Sequence, residues 1–370
     1  MALSPSARES ALAALFEPAA YSRANPALLQ PADNFLELSG EDIRRRLFLT
    51  YDGEGREFCL RPEFTIPVCR DYLAERPSAS PANYWYIGPV FRHRPQGGGE
   101  FVQAGIESLG RLDRAAADAE ILDLAIQSCI ALGQETPFIT IGDVGVIDAL
   151  FGALNLPADI ARRLRKALAT GQPIDNILSA EQSTAVSGLG DYAGVLKALE
   201  GVDKRQAQAF VEDVLSIAGL SSVGGRSVSD IAERFLAKSG QASASLSDEQ
   251  RKTIKDFLAL RGNPDDVCAS ARSLAKQAGL DLEAALEAFD SRTGFMAARG
   301  VDIATVDAHI GFSRNMDYYT GFIFELGADG HERPLVSGGR YDNLLSRLGA
   351  PEPVPAVGWS IWVERFGEAA

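Results

Sequence analysis

The stretch Asn83–Leu112, NYWYIGPVFRHRPQGGGEFVQAGIESLGRL, decides how this chain is read. Tyr84, Trp85, Tyr86, Ile87, Val90 and Phe91 concentrate aromatic and β-branched side chains, which suit a pleated surface. Pro95, Gly97, Gly98 and Gly99 then predict a turn, and Glu100–Leu109 a returning strand. Strand side chains alternate, so Phe101, Gln103, Gly105, Glu107 and Leu109 share one face. Gln103 and Glu107 are thus neighbours, and with Arg92 they form a polar cluster on an apolar hairpin. Taken alone, such a hairpin reads as amphipathic with one wet face.

Upstream, residues 4–18 predict an amphipathic helix with Ser4 as N-cap and Leu12, Leu15 and Phe16 at helical spacing. An irregular run containing Pro26 and Pro31 follows. Ser39–Arg46, SGEDIRRR, reads as a short helix with charges placed as its dipole favours. LFLTYD and EFCLRPEFT predict a β-hairpin around Gly53 and Gly55, with Glu63 and Thr65 facing the same way on its second strand.

Downstream, AAADAEILDLAIQSCIALG predicts a helix whose apolar stripe is Ile121, Leu122, Ala125, Cys129 and Leu132. FITIGDVG reads as a strand and VIDALFGAL as a helix. From Pro157 to Gly300 strand signals vanish, and about seven helical segments alternate with glycines. Within them SGQASASLSDEQ (Ser239–Gln250) reads as a polar linker. VDIATVDAHIGFSR and YYTGFIFEL then predict a β-hairpin carrying Arg314, and VSGGRYDNLLSRLG a strand, a Gly-Gly turn and a helix. The expected layout is a core from 1–150 and 300–370 around a helical insertion at 151–299.

The chain has 370 residues, 46% hydrophobic and 23% charged, which is ordinary for a soluble globular protein. No run approaches the roughly 20 apolar residues that span a bilayer, and the N-terminus lacks the basic flank of a signal peptide. Cys59, Cys69, Cys129 and Cys268 have no metal-like spacing and suit reduced thiols, so a cytoplasmic protein without metal or cofactor is expected. The net charge of −14, from 36 basic and 50 acidic residues, argues against a tRNA-binding role, which needs phosphate neutralisation.

The organising stretch resembles motif 2 of class II aminoacyl-tRNA synthetases, specifically of histidyl-tRNA synthetase. LRPEFTIPVCR (Leu60–Arg70) resembles that family's LRPE-x-T segment, RNMDYYTG (Arg314–Gly321) its R-G-x-D-Y-Y signature, and VSGGRYDNLL (Val336–Leu345) its AGGRYD segment. AVGWSIWVERF (Ala356–Phe366) resembles motif 3. The resemblance implies an α+β fold: a class II synthetase-like antiparallel sheet flanked by helices. It also implies a homodimer, paired through the region of motif 1. By the same resemblance Glu63, Thr65, Arg92, Gln103, Glu107, Arg314, Tyr318, Tyr319 and Tyr341 correspond to a pocket for L-histidine. Their chemistry suits that ligand: Glu63 with Thr65 and Gln103 for the ammonium, Glu107 and a tyrosine for the imidazole, Arg314 or Arg92 for the carboxylate.

The catalytic half departs from the family. Arg94 stands where motif 2 places a glutamate against adenine, and Gly97, Gly98, Gly99 and Glu100 replace an arginine-rich loop. Trp362 occupies a position that is glycine in motif 3, whereas Arg365 is retained. Phosphoryl chemistry depends on such charges, so productive ATP binding is not expected. The chain also stops at Ala370, where synthetases continue into an anticodon-binding domain. These departures resemble the synthetase-like regulatory subunits of ATP phosphoribosyltransferase. That relationship implies a non-catalytic chain that assembles with a short-form catalytic subunit into a hetero-octamer, at the first step of histidine biosynthesis, with feedback by histidine. The alternative is an amino-acid-activating ligase. A scaffold with an empty pocket is a third reading.

Overall fold

The computed structural model describes residues 4–36, 44–75, 80–94, 98–178, 222–223, 226–227, 246–313 and 318–366. The chain divides into two units. The larger comprises Met1–Leu154, Leu168–Gly171 and Thr253–Ala370, the smaller Asn155–Ala167 and Gln172–Lys252. Residues 151–154, 168–171 and 253–299, read above as part of the insertion, thus group with the core. Residues 39–43 of the Ser39–Arg46 expectation, the turn expected at Pro95 and Gly97, Arg314 and most of the Ser239–Gln250 linker lie outside the described residues.

In chain order the strands are β1 (Ser22–Arg23), β2 (Leu29–Pro31), β3 (Leu49–Tyr51), β4 (Glu57–Leu60), β5 (Ala82–Phe91), β6 (Glu100–Leu109) and β7 (Phe138–Asp143). They continue with β8 (Ser222–Val223), β9 (Arg226–Ser227), β10 (Arg261–Gly262), β11 (Val306–His309), β12 (Phe322–Gly327), β13 (Val336–Arg340) and β14 (Ala356–Trp362). The helices that matter to the site are α1 (Pro5–Phe16), α2 (Thr65–Glu75), α3 (Arg114–Ala131), α4 (Val144–Ala153) and α5 (Glu283–Ala298).

Nine strands form the main sheet in the order β1-β5-β6-β14-β13-β12-β7-β11-β10. Its centre is antiparallel as expected, but β1 runs parallel to β5 and β11 parallel to β7, so the sheet is mixed. The β5–β6 hairpin pairs from Ala82↔Leu109 to Phe91↔Glu100. It does not have a wet face. β6 is buried on both sides apart from its first residues, because β14 continues the sheet beside it and elements cover both faces.

One face carries α1, α3 and α5. Ser4 caps α1 by accepting from the Ala7 amide, and Leu12 and Phe16 are fully buried, with Phe16 against Trp85 and Trp359. The apolar stripe of α3 is buried throughout. Sequence reasoning missed a charged network between this helix and its neighbours. Arg340 donates to Asp118 at 2.6 and 2.9 Å and to Asp342 at 2.8 Å. Arg292 of α5 donates to Asp143, which also accepts the Gly145 amide at the start of α4. Removing one member would leave an uncompensated buried charge.

The other face is covered by α2 and a three-stranded sheet, β2-β4-β3. Phe64, just before α2, stacks on Tyr86 with ring centroids 4.3 Å apart, and Val68 joins Val90 and Phe101 in the same apolar cluster. Buried Arg61 ties the approach to α2 to the sheet, donating to the carbonyls of Pro89 and Pro26.

Three expectations need correction. Glu63 and Thr65 are not on a strand: β4 ends at Leu60 and Thr65 begins α2. The proline at 62 and the helix-capping geometry of Glu63 end the strand early. The strands on either side of the Arg314 segment do not form a hairpin, because β7 lies between β11 and β12. Gly338 and Gly339 are not a turn but lie inside β13, where added side chains would meet Trp359, Gly358 and Phe322.

Candidate functional site

The site is built where β5, β6, β13 and β14 present one face to α2. Cross-strand pairs set its floor. Glu107 lies opposite Tyr84 on one side and Gly358 on the other, and Gly105 opposite Tyr86 and Ser360. The glycines are required here by close approach. A Cβ on Gly358 would collide with the Glu107 carboxylate, and one on Gly105 with the Tyr86 hydroxyl and the Trp359 carbonyl. Small residues thus leave room for long polar ones to lie over the sheet.

Of the nine residues expected in the pocket, eight line it together: Glu63, Thr65, Arg92, Gln103, Glu107, Tyr318, Tyr319 and Tyr341. Arg314, the ninth, falls outside the described residues. Sequence reasoning missed Ser337, Ser360 and Gly358, which also line it. Their signal was available in the period-2 alternation of the GGRYD and motif 3 strands, which puts Ser337 and Ser360 opposite one another.

Glu107 is the centre of the site. It is 1% exposed and accepts hydrogen bonds from Thr65 Oγ1 at 2.7 Å, from the Tyr86 hydroxyl at 3.3 Å and from the Tyr341 hydroxyl. No cation touches it among the described residues. Burial, reinforced by nearby Glu63 and only partly offset by the three hydroxyl donors, pushes its carboxyl up to about 8. Glu63 is pushed up as well, again by burial, although it accepts the Thr65 and Ile66 amides at 2.6 and 3.0 Å and feels Arg92. Arg92 is anchored by donating to the Pro62 carbonyl at 2.7 Å. Two carboxyls thus face one guanidinium, an imbalance that favours a ligand bringing positive charge or several N–H donors.

Gln103 is 2% exposed, and its Oε1 has no hydrogen-bond partner among the described residues. A buried acceptor left unmade is costly and is satisfied by a donor brought in from outside. Tyr318 closes the far side, edge-on to Tyr319 and Tyr341 with centroids 5.2 and 5.8 Å away. The free space is about 30 Å³, room for a few waters.

Beside the pocket, the same face is filled by aromatic rings. Trp362 stacks on Phe101 with centroids 4.5 Å apart and planes 22° from parallel. The guanidiniums of Arg94 and Arg365 pack over this pair, Arg94 4.1 Å from the Phe101 centroid and Arg365 4.5 Å from that of Trp362. No flat slot for a base remains between these rings. Among the described residues no cluster of His, Cys, Asp and Glu has metal-binding geometry, and no helix is long and apolar enough to cross a membrane.

A domain model described as histidyl-tRNA synthetase matches residues 5–209 and 207–366. A curated relative from Mesorhizobium japonicum, named ATP phosphoribosyltransferase regulatory subunit, is 41% identical over 343 residues, 92% of this chain and 91% of its own. The chain belongs to this family of regulatory subunits. A relative of the same name from Agrobacterium fabrum is 40% identical over 348 residues, 93% of this chain and 92% of its own. Among solved structures, an ATP phosphoribosyltransferase regulatory subunit/histidyl-tRNA synthetase from Bacillus halodurans superposes with a TM-score of 0.68 at 22% identity, covering 98% of this chain and 77% of that one. The histidyl-tRNA synthetase of Nostoc gives 0.65 at 18% identity, covering 97% and 69%. These likenesses establish the class II synthetase-like α+β fold. The regulatory-subunit family, a family of histidine biosynthesis, is carried by the sequence relatives.

Proposed function

We propose that this chain is a non-catalytic regulatory subunit that activates a separate, short-form ATP phosphoribosyltransferase chain and senses L-histidine in the Glu107 pocket. The observation that carries the sensing role is the unpartnered Gln103 acceptor beside two carboxyls, buried Glu107 and half-buried Glu63, that share the pocket with one guanidinium. Free histidine brings an ammonium and an imidazole N–H to satisfy these groups, and its carboxylate matches Arg92. Arg314 belongs to the same proposal by its motif. Histidine can then control the partner to the extent that it binds one state of the assembly better than the other.

The non-catalytic reading is supported by the neighbouring Trp362–Phe101 stack, which occupies the space a nucleotide base would need. Arg94 there stands in place of an acceptor for adenine. Absence of tRNA charging, assembly as a homodimer, and a hetero-octamer with the catalytic chain belong to the same proposal. The test is reconstitution with the same organism's short-form catalytic subunit. Product formation is expected to rise on mixing and to fall when histidine is added. No complex and no change in rate, together with histidine-dependent ATP–pyrophosphate exchange by this chain alone, would instead make it a ligase.

A further inference from the structure

Where β13 ends, neighbouring side chains leave the sheet on opposite sides. Arg340 reaches Asp118 of α3, and the next residue, Tyr341, lines the Glu107 pocket. The Tyr341 amide still donates to the Ala356 carbonyl of β14. Its hydroxyl donates to Glu107 Oε2, the oxygen that a Cβ on Gly358 would meet. Thr65 and Tyr86 both donate to the other oxygen, Oε1. Tyr341 thus holds the oxygen that lies over the glycine of β14.

The groups that fix Tyr341 do not line the pocket. The buried Arg340 guanidinium donates to three acceptors at once: Asp118 Oδ1 at 2.6 and 2.9 Å, Asp342 Oδ1 at 2.8 Å and the Arg114 carbonyl at 3.1 Å. Asp342 Oδ1 also accepts the Ala356 amide at 2.9 Å, and the Asp342 amide donates to Thr320 Oγ1 at 3.0 Å. Thr320 returns its own amide to the Arg340 carbonyl at 2.8 Å. The residues on either side of Tyr341 are therefore bound to α3, to β14 and to the segment that carries Tyr318 and Tyr319. A planar fork with several acceptors fixes an orientation, which a point charge does not. As a stabiliser such a buried pair is weak, since apolar residues of like volume often serve as well.

We propose that Arg340 and Asp342, locked by Asp118, are positioning residues for the Glu107 pocket: they fix where the Tyr341 hydroxyl meets Glu107, and so the direction in which Oε2 accepts from a ligand. That the ligand is histidine rests on the sensing reading above; the placing of Tyr341 does not.

The test uses three variants of the full chain. Arg340→Lys keeps the buried charge but cannot reach Asp118, Asp342 and the Arg114 carbonyl together. Asp342→Asn weakens the link to Arg340. Thr320→Val keeps every charge and removes only the acceptor of the Asp342 amide, so it reads the positioning even where a charge variant does not fold. The Cζ NMR resonance of Tyr341, identified by its loss in Tyr341→Phe, is expected to shift in all three without ligand. Histidine affinity by calorimetry is expected to fall about five- to tenfold in Arg340→Lys and less in Thr320→Val. Arg272→Gln, which breaks exposed ion pairs with Glu283 and Asp290, is expected to leave both readouts unchanged. An unmoved Tyr341 resonance in the folded variants would overturn the positioning role, whatever histidine does. A moved resonance with unchanged histidine affinity would overturn its part in binding. A moved resonance in a chain whose wild type binds no histidine would uphold the positioning and sink the sensing reading instead.

Discussion

Two regions of one sheet face share β6 and use their polar groups in opposite ways. Around Gln103 and Glu107, hydrogen-bonding capacity is left over: an amide oxygen without a partner and a carboxyl held only by hydroxyls. Around Phe101, one residue pair along the same strand, the space is closed by Trp362 and by the guanidiniums stacked on the two rings. The first region leaves an acceptor for the proposed ligand to satisfy, whereas the second is filled by its own side chains. On the proposed reading, a fold shared with synthetases keeps an amino-acid pocket and loses a nucleotide slot, because the two are lined by different residues of the same strands.

The contrast is broken most directly at its centre. Glu107→Ala removes the carboxyl that three hydroxyls surround, and histidine affinity measured by calorimetry is expected to fall by about 100-fold, the scale of one buried charged contact. Unchanged affinity would move the sensor out of this pocket. Next in size, Gly358→Ala drives a methyl group into the Glu107 carboxylate. It should lower stability by about 1–3 kcal/mol in thermal or denaturant unfolding and weaken histidine binding with it.

A pH series sharpens the same point. Burial raises the Glu107 carboxyl to about 8 in the folded chain, above the ordinary carboxylate range it has when unfolded. Its contribution to stability is therefore complete at low pH and is lost as pH rises through about 8. Glu107→Gln keeps the shape without the ionisation, so its advantage over wild type should grow across that window to a few kcal/mol. A difference that is flat with pH would show that Glu107 titrates normally. Gln103→Leu is milder: it removes the unpartnered acceptor, and histidine affinity should fall by about five- to tenfold with little change in stability.

The sequence was most legible where a period carries the information. Alternation along β6 placed Gln103 and Glu107 on one face, and the helical period of α3 named its buried stripe. It was less legible where contacts between distant segments decide. Glu63 and Thr65 reach the pocket from a helix start and not a strand, which depends on Glu63 capping α2. Nothing local in β11 and β12 reveals that β7 is inserted between them. The Arg340–Asp118 and Arg292–Asp143 pairs join residues 222 and 149 positions apart, beyond the reach of any local pattern.

The smallest expected effect tests how deeply the two regions have diverged. Trp362→Gly restores the residue type that the synthetase motif has at this position and removes the ring stacked on Phe101. If the indole alone closed the nucleotide slot, the variant would gain histidine-dependent ATP–pyrophosphate exchange. It is expected to gain none. Arg94 would still lie over Phe101, with no acceptor for a base amino group where the motif has glutamate. Arg92 and Arg365 would lose the ring they pack against without gaining a charge to neutralise. Histidine affinity should stay within about threefold of wild type, because Glu107 and Gln103 keep their surroundings. Measurable exchange would mean that a single side chain separates this regulatory chain from a ligase; its absence means that the charges around the slot have diverged along with the ring.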